Sequence, residues 1–216
     1  MRRTHLFAVL LTLIFATGAA APPASAHPHV YVTSKAEVVY EQGRITAIQH
    51  HWTFDEFYTA MAIQGLDTNN DGIYSREELA ELAKVNMEGL KEFDFFTAAT
   101  LGDKKVAFAA PTDPWLEHKD GVLTLHFKLP LAAPLPTDAV GFQFAIYDPS
   151  FFIAFELAKG EAVTLAGAPA GCKITVGEMT QSADEKTLTG AMSQSLGGMG
   201  MGSGTTKSAA VTCAKS

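Results

Sequence analysis

Apolar and polar residues alternate most clearly in two adjoining stretches near the start of the chain. From His29 to Tyr40, Val30, Val32, Ala36, Val38 and Tyr40 share one parity, the period of a half-buried strand. Arg44 to Trp52 is also strand-like, and Glu41-Gln42-Gly43 between them supplies turn residues, so the pair predicts a β-hairpin. The period then changes. Phe54, Phe57, Tyr58, Met61 and Leu66 recur at three- and four-residue steps, and Leu79, Leu82, Val85, Leu90 and Phe93 nearly do the same, which predicts helices within 54–96. Strand patterns return at Lys105–Ala109, Val122–Leu129, Val140–Tyr147, Phe151–Leu157 and Ala162–Leu165, with Pro130–Pro136 as a proline-rich connection. Strands, a helical insert and strands again predict an α+β fold: one mostly antiparallel β domain carrying an inserted helix–loop–helix unit.

The loop between the two helical patterns is Asp67-Thr68-Asn69-Asn70-Asp71-Gly72-Ile73-Tyr74-Ser75-Arg76-Glu77-Glu78. Asp67, Asn69, Asp71, Ser75 and Glu78 put side-chain oxygens at positions 1, 3, 5, 9 and 12, and Gly72 stands at position 6. Calcium is a hard cation that takes several oxygens from a chain wrapped around it, and Ile73 at position 7 would add only its carbonyl. Gly72 allows the sharp turn that other residues resist. An Asx-rich turn would explain the composition but leave the spacing of Ser75 and Glu78 a coincidence. The pattern D-x-[DN]-x-[DN]-G-x5-E is met in full and resembles the EF-hand calcium loop.

The chain begins with Arg2 and Arg3, an apolar run from Leu6 to Ala16, and Ala24-Ser25-Ala26, which together read as a signal peptide at 1–26 rather than a spanning helix. Cleavage after Ala26 would leave 190 residues and remove both arginines, taking the net charge from −7 to −9. An acidic exported protein is poorly suited to nucleic acid or an anionic membrane surface and well suited to cations. No later segment is long and apolar enough for insertion; Val140–Leu157 comes closest, and Asp148-Pro149 interrupts it. Cys172 and Cys213 are the only cysteines; export favours a structural disulfide between them, with two free thiols as the alternative. Residues 192–206 are a Gly/Ser-rich linker in which Met192, Met199 and Met201 are either incidental or soft ligands for Cu(I). The expected organisation is a signal peptide at 1–26, an α+β domain at 27–170 with an EF-hand-like insert at 54–96, and a disulfide-closed segment at 171–216 containing the Gly/Met-rich loop.

Cleavage would also expose His27-Pro28-His29 as a new terminus, whose amine and imidazoles suit zinc, copper or nickel. If Tyr40 pairs with Arg44 across the hairpin turn, His29 falls opposite Asp55, and the three residues His27, His29 and Asp55 form a candidate transition-metal site. The same register puts His50 and His51 opposite Ser34 and Thr33, pointing to opposite faces. The alternative is solvated histidines, with Asp55 at a helix N-terminus. His118 and His126 stand isolated in the sequence and read as surface or strand residues.

His27-Pro28-His29-Val30 after a signal peptide, Trp52-x-Phe54-Asp55-Glu56, the Asp67–Glu78 loop and Tyr147-Asp148-Pro149-Ser150-Phe151-Phe152 occur in one order. Together they resemble the bacterial family known as domain of unknown function 1007, from His27 to about Leu165. The resemblance implies a periplasmic component of an ABC-type transport system, often encoded beside nickel or cobalt permeases; it assigns no catalytic residue. The expected function is a periplasmic calcium-binding accessory or solute-binding protein linked to nickel, cobalt or zinc transport, with an inner-membrane metal permease or ABC transporter as partner. One alternative is a copper redox protein or enzyme built on an N-terminal histidine brace. Another is a calcium-ordered interaction module with Phe151, Phe152 and Phe155 as anchors. G-x-S-x-G and H-E-x-x-H are both absent, so an enzyme is not expected.

Overall fold

The computed structural model describes residues 28–137, 139–150, 152–178 and 206–214. The expected signal peptide, His27, Phe151 and the Gly/Met-rich stretch with Met192, Met199 and Met201 lie outside the described residues. Strands β1 (Val30–Glu41) and β2 (Arg44–Phe54) are followed by helix α1 (Glu56–Ala62), helix α2 (Ala80–Leu90) and a 3-10 turn (Lys91–Phe96). Then come β3 (Thr97–Leu101), β4 (Lys104–Lys105), β5 (Thr112–Lys119), β6 (Val122–Pro136) and β7 (Phe142–Ile146). The chain continues with β8 (Ile153–Leu157), β9 (Val163–Ala166), β10 (Cys172–Glu178) and β11 (Lys207–Cys213).

The strands form two sheets. The first runs β5-β6-β2-β1-β8, with β9 also on β1; the second runs β10-β11-β7-β3-β4. The expected hairpin is present, and its tight turn has a local cause: Gln42 and Gly43 have φ of 50° and 71°, as a two-residue primed turn requires. β1 takes β8 along its first half and β9 along its second, both in parallel, whereas β2–β6 and β5–β6 are antiparallel. Trp52, Ile45, Ile48 and Phe127 from the first sheet join Phe142, Phe144 and Val211 from the second in one apolar core.

The expected helix–calcium loop–helix insert is overturned, and the fold, although still compatible with an α+β label, is mostly β. Of the described residues, 52% are strand and 15% helical. α1 has seven residues and ends at Ala62, well before Asp67, and α2 begins only at Ala80, after Glu78. The apolar periodicity is only partly buried: Leu79, Ala83 and Met87 lie in the core, but other apolar positions of the pattern do not. Phe54 is the last residue of β2, Phe57 is 78% exposed, and Met61, Val85 and Phe93 are exposed as well. Helices of this length depend on burial of an apolar face rather than on propensity.

The proline-rich segment is also not a connection. β6 runs through it, with Pro130 opposite Ala47 and Pro136 opposite Arg44. Proline lacks a donor, but its carbonyl still accepts, as from Ala109 N at 2.8 Å. Lys105–Ala109, by contrast, contributes only β4 and a single bridge from Phe108 to Leu131. Cys172 and Cys213 lie directly opposite each other on β10 and β11 and form a disulfide.

Before β3 the backbone does something unusual for L-residues. Asp94, Phe95 and Phe96 have φ of 50°, 53° and 46° in succession, a left-handed turn costing about 1–2 kcal/mol per residue. It drives Phe95 toward Phe127, with ring centroids 6.3 Å apart, and Phe96 toward Phe155 at 5.4 Å. Burying two phenylalanine rings, at about 1.5–3 kcal/mol each, offsets that cost.

Candidate functional site

The Asp67–Glu78 segment is organised by its own carboxylates. Asp67 accepts from Asp71 N at 3.2 Å and from Gly72 N at 3.0 Å; Asp71 accepts from Ile73 N at 2.7 Å. Gly72 has φ +79°, the left-handed turn for which the sequence needs glycine. At the far end Ser75 and Glu78 form a reciprocal cap: Glu78 N donates to Ser75 Oγ at 3.2 Å, and Ser75 N donates to Glu78 Oε2 at 2.9 Å. The other oxygen of Glu78 accepts from Thr68 N at 2.8 Å and Thr68 Oγ1 at 2.7 Å. One carboxylate therefore ties the first turn of the loop to the last. The hydrogen bonds from Ser75 and Thr68 hold the Glu78 carboxyl down to about 2, far below the usual carboxylate range.

The donor set fits a hard cation, since Asp67, Asn69, Asp71, Ser75, Glu78 and the Ile73 carbonyl offer oxygen alone. Among the described residues, no three His, Cys, Asp or Glu side chains converge closely enough to hold a metal ion. Capture of calcium here would require Glu78 to exchange its bonds with Thr68 and Ser75 for the ion. Ile73, whose carbonyl alone would serve the ion, is 68% exposed.

The hairpin register differs from the expectation at the N-terminus. Val32 lies opposite Phe54, after an irregularity at Val39/Tyr40, so Asp55 meets Tyr31 and not His29. Both carboxylate oxygens of Asp55 are engaged, one with Tyr31 N and one as the cap of α1 on Tyr58 N, each at 2.8 Å. His29 donates its backbone N–H to Phe152 O at 2.9 Å and rests its ring on Phe152. His29 and Asp55 are not brought together as a ligand pair, and His27 lies outside the described residues. Phe155 packs against Trp52, while Phe152 is exposed.

The same register creates a grouping that linear inspection missed. Lys35, His51, His126 and Trp115 lie in one cross-strand row. His51 Nδ1 and His126 Nδ1 are 2.6 Å apart. Trp115 stacks on His126 with centroids 4.0 Å apart, and the Arg76 guanidinium lies 4.6 Å above Trp115. Glu117 Oε2 is 3.7 Å from His126 Nε2. Burial lowers the His51 pKa; burial, helped by the facing His51, lowers that of His126 to about 4. Next to it in sequence, His50 points the other way into the core, stacked on Phe127, and burial lowers its pKa to about 3. The only signal in the sequence for the pairing of His51 with His126 is strand register, and they are 75 residues apart.

The family model described as "Protein of unknown function (DUF1007)" matches residues 12–213, nearly the whole chain. The chain belongs to this family. A relative from Spirochaeta aurantia, an "uncharacterized 15.5 kDa protein in trpE 3'region", is 32% identical over 99 residues, covering 46% of this chain and 70% of its own. An "uncharacterized protein" of Haemophilus influenzae is 22% identical over 149 residues, 68% of this chain and 71% of its own. In this DUF1007 protein buried Asp148 of the Tyr147-Asp148-Pro149-Ser150 segment accepts from Ser150 N at 2.8 Å and Ile153 N at 2.9 Å. Among the described residues no helix is long and apolar enough to cross a membrane.

Proposed function

We propose that this DUF1007 protein is an exported, calcium-clamped accessory protein of transition-metal transport, acting in the periplasm beside an inner-membrane permease or ABC transporter. The observation that carries the calcium part is the Asp67–Glu78 loop, in which alternate residues present oxygens and Glu78 joins its two ends. The transport context rests on the family resemblance, and the net charge of −7 suits a protein that meets cations.

With three carboxylates and two neutral side chains, the loop fits the extracellular class of calcium site, with Kd on the order of 10⁻⁴ M. At ~1 mM calcium such a site adds only about 1.4 kcal/mol of stability. That is the scale of a staple rather than a sensor. Melting the mature protein in chelator and in ~1 mM calcium tests the proposal. A rise of about 3–6 °C is expected for a domain of this size, and Glu78→Gln should abolish it. The same melting temperature with and without calcium would remove the basis of the reading.

A further inference from the structure

Away from the Asp67–Glu78 loop, two histidine nitrogens of the first sheet approach each other closely. His51 comes from β2 and His126 from β6, side by side on the outer face of the first sheet, opposite the face that buries Trp52 and Phe127. With the two Nδ1 atoms 2.6 Å apart, two bare lone pairs would repel, so one nitrogen carries the proton between them.

Glu117 decides which. If His126 held its proton on Nδ1, its Nε2 lone pair would face the Glu117 carboxylate 3.7 Å away. With the proton on Nε2, an N–H is aimed at that carboxylate instead, and His126 Nδ1 presents its lone pair to His51. His126 is only 9% exposed, and its Nε2 has no hydrogen-bond partner within bonding distance. Metal-ligating histidines are oriented by a hydrogen bond from the second ring nitrogen to a carboxylate; Glu117, at 3.7 Å, stands just outside that distance and would close it as the rings part.

We propose that His51 and His126 are the protein donors of a transition-metal site of the zinc, nickel or copper class, with Glu117 orienting His126 and Trp115 roofing it. This rests on the transition-metal part of the reading above and assigns it a location. Imidazole suits these metals and not calcium. Metal binding requires His51 to move its proton from Nδ1 to Nε2, and the rings to part. Tetrahedral bonds of about 2.0–2.1 Å place the two nitrogens roughly 3.3 Å apart, so the opening is some 0.7 Å.

Among the described residues no third His, Cys, Asp or Glu completes the set, so water or an exchangeable ligand fills the other positions. An open sphere is unsuited to a permanent structural metal. It suits a cargo that must be handed on. The roof also links this site to the loop: Arg76, which covers Trp115, is itself a residue of the Asp67–Glu78 segment, and Tyr74 meets His118 of β5 edge-on at 4.8 Å.

Calorimetric titration of zinc and nickel into the mature chain tests this. The variants are His51→Ala, His126→Phe (which keeps a ring under Trp115), Glu117→Gln, His118→Ala, and His27→Ala with His29→Ala. Binding should vanish in the first two, weaken about tenfold in Glu117→Gln, and persist in His118→Ala and in the N-terminal double variant. Nickel should also quench the fluorescence of Trp115, and Trp115→Phe should remove that signal while keeping the heat. Binding that survives both His51→Ala and His126→Phe overturns this site. If it is lost instead in the N-terminal double variant, transition-metal handling stands while this assignment falls. No binding of either metal to the wild type sinks both.

Discussion

Acid should destabilise this protein well above the pH at which its carboxylates titrate, and His50 should be a principal cause. Its ring is completely buried, stacked 4.7 Å from Phe127, and Nδ1 has no hydrogen-bond partner. Burial, with the nearby His51, lowers its pKa from 6.5 to about 3. The sign follows from linkage: the unfolded state binds the proton first, so stability is complete above the unfolded value and falls as pH drops toward 3. Between pH 7 and pH 5 the His50 difference amounts to about 2 kcal/mol. His51 and His126 are lowered in the same direction and add to the slope. The perturbation is His50→Phe, which keeps an aromatic ring against Phe127 and removes the ionisable group. Thr97 Oγ1 keeps its bond to Phe95 O at 2.8 Å, its contact with His50 Nε2 being only 3.5 Å. Removing the orphaned Nδ1 should also raise stability at pH 7 by roughly 1 kcal/mol. Urea unfolding at both pH values, in chelator, measures each quantity by linear extrapolation. Equal losses in wild type and His50→Phe between pH 7 and pH 5 would refute the reasoning.

Three further perturbations have defined outcomes. Asp55→Ala removes the cap of α1 and the tie to Tyr31 N, and should cost about 1–2 kcal/mol in urea unfolding. Gly167→Ala would place a Cβ 2.7 Å from Tyr40 O at φ +67°, so a loss of about 1–3 kcal/mol is expected from strain; a neutral effect would mean that β9 moves freely on β1. Breaking the Cys172–Cys213 disulfide, whose sequence separation is 41, should cost about 4 kcal/mol on the chain-entropy model. Melting of the reduced protein, or of Cys172→Ala with Cys213→Ala, measures that cost.

Local chemistry was legible in the sequence, while long-range pairing was not. Alternation in Val30–Tyr40 and the Gln42-Gly43 turn mark the β1–β2 hairpin, because both signals are local. The Cys172–Cys213 pair was open to inspection because no other pairing exists. β5 escaped notice because its row TDPWLEHK is largely exposed, with Leu116 alone fully buried, so it carries no apolar period. The parallel additions of β8 and β9 to β1 depend on crossovers from distant chain and leave no mark at the residues themselves. The helices were overestimated for the converse reason: Phe57, Met61 and Val85 have helical spacing but face solvent. The His51–His126 pair depends on a register that a one-residue slip would reverse; the expected His29–Asp55 pairing missed by two residues, one at the turn, where Tyr40 pairs with Ile45, and one at the Val39/Tyr40 irregularity.

The central claim is that Asp67–Glu78 binds calcium, and a calorimetric titration of calcium into the mature, chelator-treated protein tests it most directly. One site with Kd on the order of 10⁻⁴ M is expected, lost in Asp67→Ala and in Glu78→Gln while both variants keep the fold. No calcium-dependent heat in the wild type, or heat that persists unchanged in both variants, would contradict it.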